Sequence, residues 1–120
     1  MKDMENAGII ENNRTQMRRG VLEYSILLIL AAGDEYASSI IQKLKDVNII
    51  VAEGTTYPLL IRLKKLGLLS YRWEESPQGP PRKYYMITQM GREQLAGLDA
   101  AWEELSQAIS TIRKGKEETI

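Results

Sequence analysis

From Val21 to Ala32 the chain is almost wholly apolar, interrupted only by Glu23 and Ser25. The run is long for a strand and holds no Gly or Pro, so it predicts a buried helix that starts near Met17 and stops at Gly33-Asp34. Ala37, Ile40, Ile41 and Leu44 then fall on one stripe, and a second helix is predicted over Tyr36 to Asp46. Asn48 to Gly54 reads as a loop with some extended character. At Gly54-Thr55-Thr56-Tyr57-Pro58 either threonine can cap a third helix, with Pro58 in the first turn, where its missing N–H costs nothing. Gly67 is a left-handed stop. Leu59, Leu60, Leu63 and Leu66 form the inward face of this helix, while Thr55, Pro58, Arg62 and Lys65 share an outward one. Leu69 to Glu74 alternates like a half-buried strand, with Trp73 expected to pack in the core or on the sheet face. Ser76 to Arg82 predicts a stiff extended connector, and Lys83 to Ile87 a second strand. From Thr88 a long helix is expected towards Gly115. Leu95, Leu98, Trp102, Leu105, Ile109 and Ile112 are spaced 3, 4, 3, 4 and 3 along it, an unbroken heptad seam. Gly97 within it implies a packing reason.

The order is three short helices, a hairpin and a long helix. The second and third helices form a helix-turn-helix, and the hairpin adds a wing. The expected fold is therefore mainly α with a small β-hairpin: a winged helix-turn-helix plus one long C-terminal dimerisation helix. Residues 1–15 are polar and aperiodic and read as a flexible tail. The winged unit spans 16–87, and the C-terminal helix with a frayed tail spans 88–120.

Composition removes whole classes of chemistry. The 120 residues include no Cys and no His, which excludes thiol nucleophiles, disulfides, imidazole catalysis and the usual zinc sites. No paired carboxylate motif, phosphate-cradling loop or cofactor fingerprint is present, so neither an enzyme nor a cofactor is expected. The longest apolar run, Ile26 to Ala32, falls far short of the ~20 residues of a membrane span, and a cytoplasmic protein is expected. Net charge is zero, yet residues 54–83 hold six basic side chains against two acidic ones, a local footprint for a polyanion.

The outward face of the third helix is narrow enough for a major groove, and the wing can reach phosphates or the neighbouring minor groove. Candidate DNA contacts are Thr55, Thr56, Tyr57, Arg62, Lys64 and Lys65 on the third helix and Arg82 and Lys83 on the wing. For Arg18 and Arg19, at the head of helix one, a backbone contact and a solvated helix end are both open. Leu22 in helix one and Leu95, Leu98, Trp102, Leu105, Ile109 and Ile112 in the seam are candidate dimer contacts. Two readings compete with DNA binding. One is a winged-helix module for protein–protein contact through the heptad helix, favoured by zero net charge; the other is a ligand-sequestering protein.

Four segments resemble the PadR family of bacterial transcriptional regulators. They are Arg19-Gly20-Val21-Leu22-Glu23, Glu53-Gly54-Thr55-Thr56-Tyr57-Pro58-Leu59-Leu60 with Arg62-Leu63, Gly67-Leu68-Leu69, and Gly79-Pro80-Pro81-Arg82-Lys83-Tyr84-Tyr85 running into Ile87-Thr88 and Gly91. The last is the most specific, and together they cover about 17–98. The resemblance implies a cytoplasmic homodimeric repressor on a double-stranded DNA operator. It also implies dimerisation through the C-terminal helix, in the manner of the short, single-helix members. Some of these respond to aromatic or multidrug-like compounds in a central cavity, where the resemblance sets Trp102. Two such rings can sandwich a flat aromatic effector, with Asp99 favouring a cationic one; the plainer reading is that Trp102 fills the dimer core. Ser38, Ser39 and Thr56 depart from the family pattern, which touches contact detail rather than fold.

Overall fold

The computed structural model describes residues 2–50 and 53–118. Its elements in chain order are α1 (Lys2–Ala32), β1 (Glu35–Tyr36), α2 (Ala37–Asp46), a 3-10 turn (Glu53–Thr55), α3 (Thr56–Lys65), β2 (Leu69–Ser76), β3 (Gly79–Ile87) and α4 (Gln89–Glu118). This is the winged helix-turn-helix followed by one long helix that the pattern predicts. The short β1 was not expected: it adds a third antiparallel strand beside β3, in the order β1-β3-β2, with Glu35 opposite Tyr85 and Tyr36 opposite Tyr84.

The core is built where apolar stripes converge. Ile26, Leu27 and Leu30 of α1 meet Ile40 and Leu44 of α2, Leu60 and Leu63 of α3, and Leu69 and Tyr85 of the sheet. Leu22 and Leu95 are also buried there, so these two expected dimer contacts are taken up by their own subunit. Leu98 is half-buried against the same core. Leu66, assigned to the inward face of α3, is half exposed instead. It follows the last helical turn, where the chain has already begun to leave the helix.

That exit is well defined. Leu68 N–H donates to the Leu63 carbonyl and Gly67 N–H to that of Lys64, both at 3.0 Å, a paired closure that needs a left-handed residue between the helix and Leu68. Gly67 supplies it, with φ of +81°. Thr88, which precedes α4, locks on to this exit. Its hydroxyl donates to the Gly67 carbonyl at 2.6 Å and accepts from Gly91 N–H at 3.0 Å. Its own N–H reaches the Leu68 carbonyl. Gly91 is pressed against the same place: a Cβ there would lie 2.2 Å from the Leu68 oxygen.

Three local expectations are corrected. Residues 2–15, read as a tail, are helical and continue directly into the buried part of α1. They bury little, but the segment has no proline, Asp3 and Glu5 sit in its first turn, and growing a helix from an existing end avoids the nucleation cost. The connector read as stiff and extended is instead strand up to the Pro77-Gln78 turn, with Ser76 opposite Gly79. Between Glu74–Arg82 and Ser76–Gly79, Glu75 faces both Pro80 and Pro81. This bulge accommodates residues that cannot donate to the ladder. Thirdly, a Cβ on Gly97 would meet nothing within 4 Å, so no packing inside the chain demands that glycine. Val51 and Ala52 of the expected Asn48–Gly54 loop, Met1 of the tail and Thr119 and Ile120 of the frayed end lie outside the described residues.

Past the core, α1 and α4 project freely. The extents are 61 × 38 × 22 Å and the radius of gyration is 17.9 Å, against roughly 13–14 Å for a compact chain of this length. Among the described residues, no helix is long and apolar enough to cross a membrane.

Candidate nucleic-acid interface

α3 presents Thr55, Tyr57, Pro58, Ile61, Arg62, Lys64 and Lys65 to solvent. Its cations Arg62, Lys64 and Lys65 all fall in the last turn. The threonines do not behave alike. Neither caps the helix through its side chain: Thr55, at the cap position, has helical φ and ψ and makes no such bond. Thr56 is fully buried, and its hydroxyl has no hydrogen-bond partner. The expectation that Thr56 touches a groove is therefore withdrawn. The 3-10 turn rotates the helix entry so that this position faces the core.

The wing carries its cations on aromatic rings. The Arg82 guanidinium lies 4.3 Å from the centre of the Tyr36 ring, and Lys83 Nζ lies 4.6 Å from that of Tyr71 and 5.7 Å from that of Trp73. Lys64 Nζ approaches the Tyr71 ring at 5.7 Å. These contacts hold long side chains in place at no cost in charge. Arg72, on β2, also lies over a ring, 4.5 Å from the centre of Tyr84, but it has carboxylate partners as well. It is held by Glu74 at 2.7 Å and Asp34 at 3.5 Å, and the hydrogen bond to Glu74 is the main cause that raises its pKa further. It is the wing arginine already neutralised.

Between α3 and the wing lies a cleft of about 380 Å³ whose walls include Tyr36, Tyr57, Ile61, Trp73, Arg82 and Lys83, with no carboxylate among the lining residues. Sequence reasoning missed Tyr36, Ile61 and Trp73. Trp73, expected in the core or packed on the sheet face, is instead 61% exposed. Alternation puts it on the same strand face as Leu69 and Tyr71, but the core ends below Tyr71, and period alone cannot show where a strand outruns what covers it.

A second locus joins α1 to α4. Tyr24 donates its hydroxyl proton to Asp99 at 2.5 Å, and that bond is the main cause of a raised Tyr24 pKa. The Tyr24 and Trp102 rings lie 6.3 Å apart beside a shallow hollow lined by Val21, Tyr24, Ser25, Leu28, Ile49 and Trp102. Asp99, a candidate ligand group, is thus engaged by Tyr24, a partner the sequence did not suggest. Trp102, Leu105, Ile109 and Ile112 remain largely exposed on α4. The structure therefore divides the heptad seam, its first two members covering their own core and the other four facing outward. Among the described residues no cluster of acidic side chains could hold a metal ion.

Residues 26–97 match the model of the transcriptional regulator PadR-like family. The fold is similar to that of a PadR-like transcription factor from Bacteroides fragilis, with 55% identity and a TM-score of 0.70 over 84% of this chain and 98% of that one. It is also similar to a PadR-like transcriptional regulator from Bacillus cereus, at 38% identity and 0.72 over 81% and 95%. A PadR family regulator from Eggerthella lenta matches at 30% identity and 0.78 over 91% and 96%.

Proposed function

Since the chain belongs to the PadR-like family of transcriptional regulators, and is thus a regulator and not an enzyme, we propose that it acts in the cytoplasm as a homodimeric repressor of its operator. In this reading α3 enters the major groove through Thr55, Tyr57, Arg62 and Lys65. Arg82 and Lys83 take backbone phosphates beside it, and Lys64 lies between the two. The observation that carries the proposal is the shared outlook of two surfaces. Tyr57 and Ile61 of α3 and the ring-mounted Arg82 and Lys83 of the wing line one cleft without a carboxylate, and α3 adds Arg62, Lys64 and Lys65 in its last turn, an arrangement that suits a polyanion.

The exposed residues Trp102, Leu105, Ile109 and Ile112 pair across a twofold axis. The operator is accordingly pseudo-palindromic, with half-sites about one helical turn (~34 Å) or a multiple of it apart. A flat aromatic effector enters between the two Trp102 side chains and releases DNA by favouring a different angle between the winged units.

The test is fluorescence anisotropy with a labelled duplex from the chain's own upstream region, against a scrambled duplex, across a salt series. Tight binding to the upstream duplex that weakens as salt rises is expected, and R62A/K65A should lose it. No binding to either duplex at low salt would end the proposal and leave the heptad helix as a protein-binding surface.

A further inference from the structure

Arginines outside the family-matched segment also gather at the exposed start of α3. Thr15, Arg18, Arg19 and Leu22 of α1 line a hollow of about 160 Å³ together with Ile50 and Thr55. Thr55 is the residue that opens α3. The hollow is lined by the apolar Leu22, Ile49 and Ile50, by two arginines and by the residue at the positive end of α3. The Thr55 hydroxyl makes no capping bond, while that of Thr15 is turned back to the Glu11 carbonyl. Guanidinium groups match the oxygens of a phosphate by shape as well as charge.

One of the two arginines is already paired. Glu11, two turns earlier on the same face, reaches Arg18 at 3.4 Å and Arg14 at 3.8 Å. Arg19 has no carboxylate partner among the described residues. The Glu11 carboxylate is more than half exposed, so its hold on Arg18 is weak and easily exchanged.

Resting on the DNA-binding reading above, we propose that Arg18 and Arg19 form a phosphodiester site at the head of α3, and that Glu11 occupies Arg18 until a DNA strand displaces it. The N-terminal part of α1 then extends the footprint of each subunit past the winged unit, and it carries its own competitor for the arginine. The contact is to backbone and carries no sequence information.

The experiment measures anisotropy of the full chain on a labelled mixed-sequence duplex of about three helical turns, which suffices because phosphate contacts are sequence-independent. In R18A/R19A, which removes two arginines from each of the two subunits, the slope of log affinity against log salt should become shallower by about four, and affinity at low salt should fall by at least about ten-fold. E11Q should tighten binding about two- to three-fold by freeing Arg18, and that gain should vanish in an R18A background. E5Q, which removes a charge from the same helix without freeing Arg18, should change little. A gain in affinity cannot arise from unfolding, so E11Q keeps the test sound if the double variant loses helicity. A wild-type chain that binds no duplex overturns the DNA-binding reading and this site with it. A wild-type chain that binds, with an unchanged slope in R18A/R19A, overturns this site alone. An E11Q gain that persists without Arg18 overturns the role of Glu11.

Discussion

Thr56 holds a hydroxyl in the core with nothing to bond to. Desolvating such a group without a partner opposes folding. Thr56→Val keeps the shape and removes the polar atom, and it should raise stability by about 1 kcal/mol, read as a higher denaturant midpoint with an unchanged m-value. Because the side chain is buried, DNA affinity should stay as it was. Gly91→Ala acts in the opposite direction. Its Cβ would meet the Leu68 carbonyl oxygen, a backbone atom, at 2.2 Å; relief requires moving α4 off the end of α3, and a loss of about 3 kcal/mol in a urea melt is expected. Gly67 was legible as a left-handed stop from its place after a periodic helix. The demand at Gly91 was not, because it comes from an oxygen more than twenty positions away that only the folded chain brings near.

At the scale of elements, contact between α1 and α4 is marked by Tyr24 and Asp99. The Asp99 hydrogen bond, followed by partial burial and the charges of Asp99 and Glu103, raises the Tyr24 pKa. The folded state therefore holds this proton more tightly than the unfolded state. The stabilisation is complete below the ordinary tyrosine value near 10 and is lost as pH rises through the higher folded value. In a W73F background, where Trp102 is the remaining tryptophan, its fluorescence should show a quenching step above the free-tyrosine range. Y24F should abolish that step; a titration unchanged by Y24F would sink the assignment. The helix order, the hairpin and the C-terminal seam were readable because each has a clean apolar period. β1 was not, since two residues carry no period, and the helical start of α1 was not, since its stability is borrowed from the buried turns that follow it. The wing tip misled because proline argues against a regular ladder but not against a bulge.

For the whole molecule, the four exposed residues of the α4 seam set solution behaviour. Leu105 and Ile109 are 61% and 56% exposed, a large apolar stripe for a lone chain. Sedimentation equilibrium should give a dimer, and L105E/I109E should give a folded monomer with weakened operator binding. Wild-type Tm should rise with protein concentration, whereas that of the variant should not. The sequence supplied the seam as one continuous stripe; only the fold shows that Leu95 and Leu98 are spent on the winged unit itself.

The knot of hydrogen bonds at Thr88 has a mechanical meaning. It ties the exit of α3 to the first turn of α4 through Gly67, Leu68 and Gly91. In the proposed dimer each subunit is then a bell-crank: the long arm is α4, the short arm is α3, and the pivot is stiff. A turn between the long arms is then passed on to the two reading heads, changing their spacing against successive grooves. Two glycines inserted after Thr88 would loosen the pivot. Such a chain should still dimerise and still hold an effector, but filling the cavity would no longer be felt at the operator.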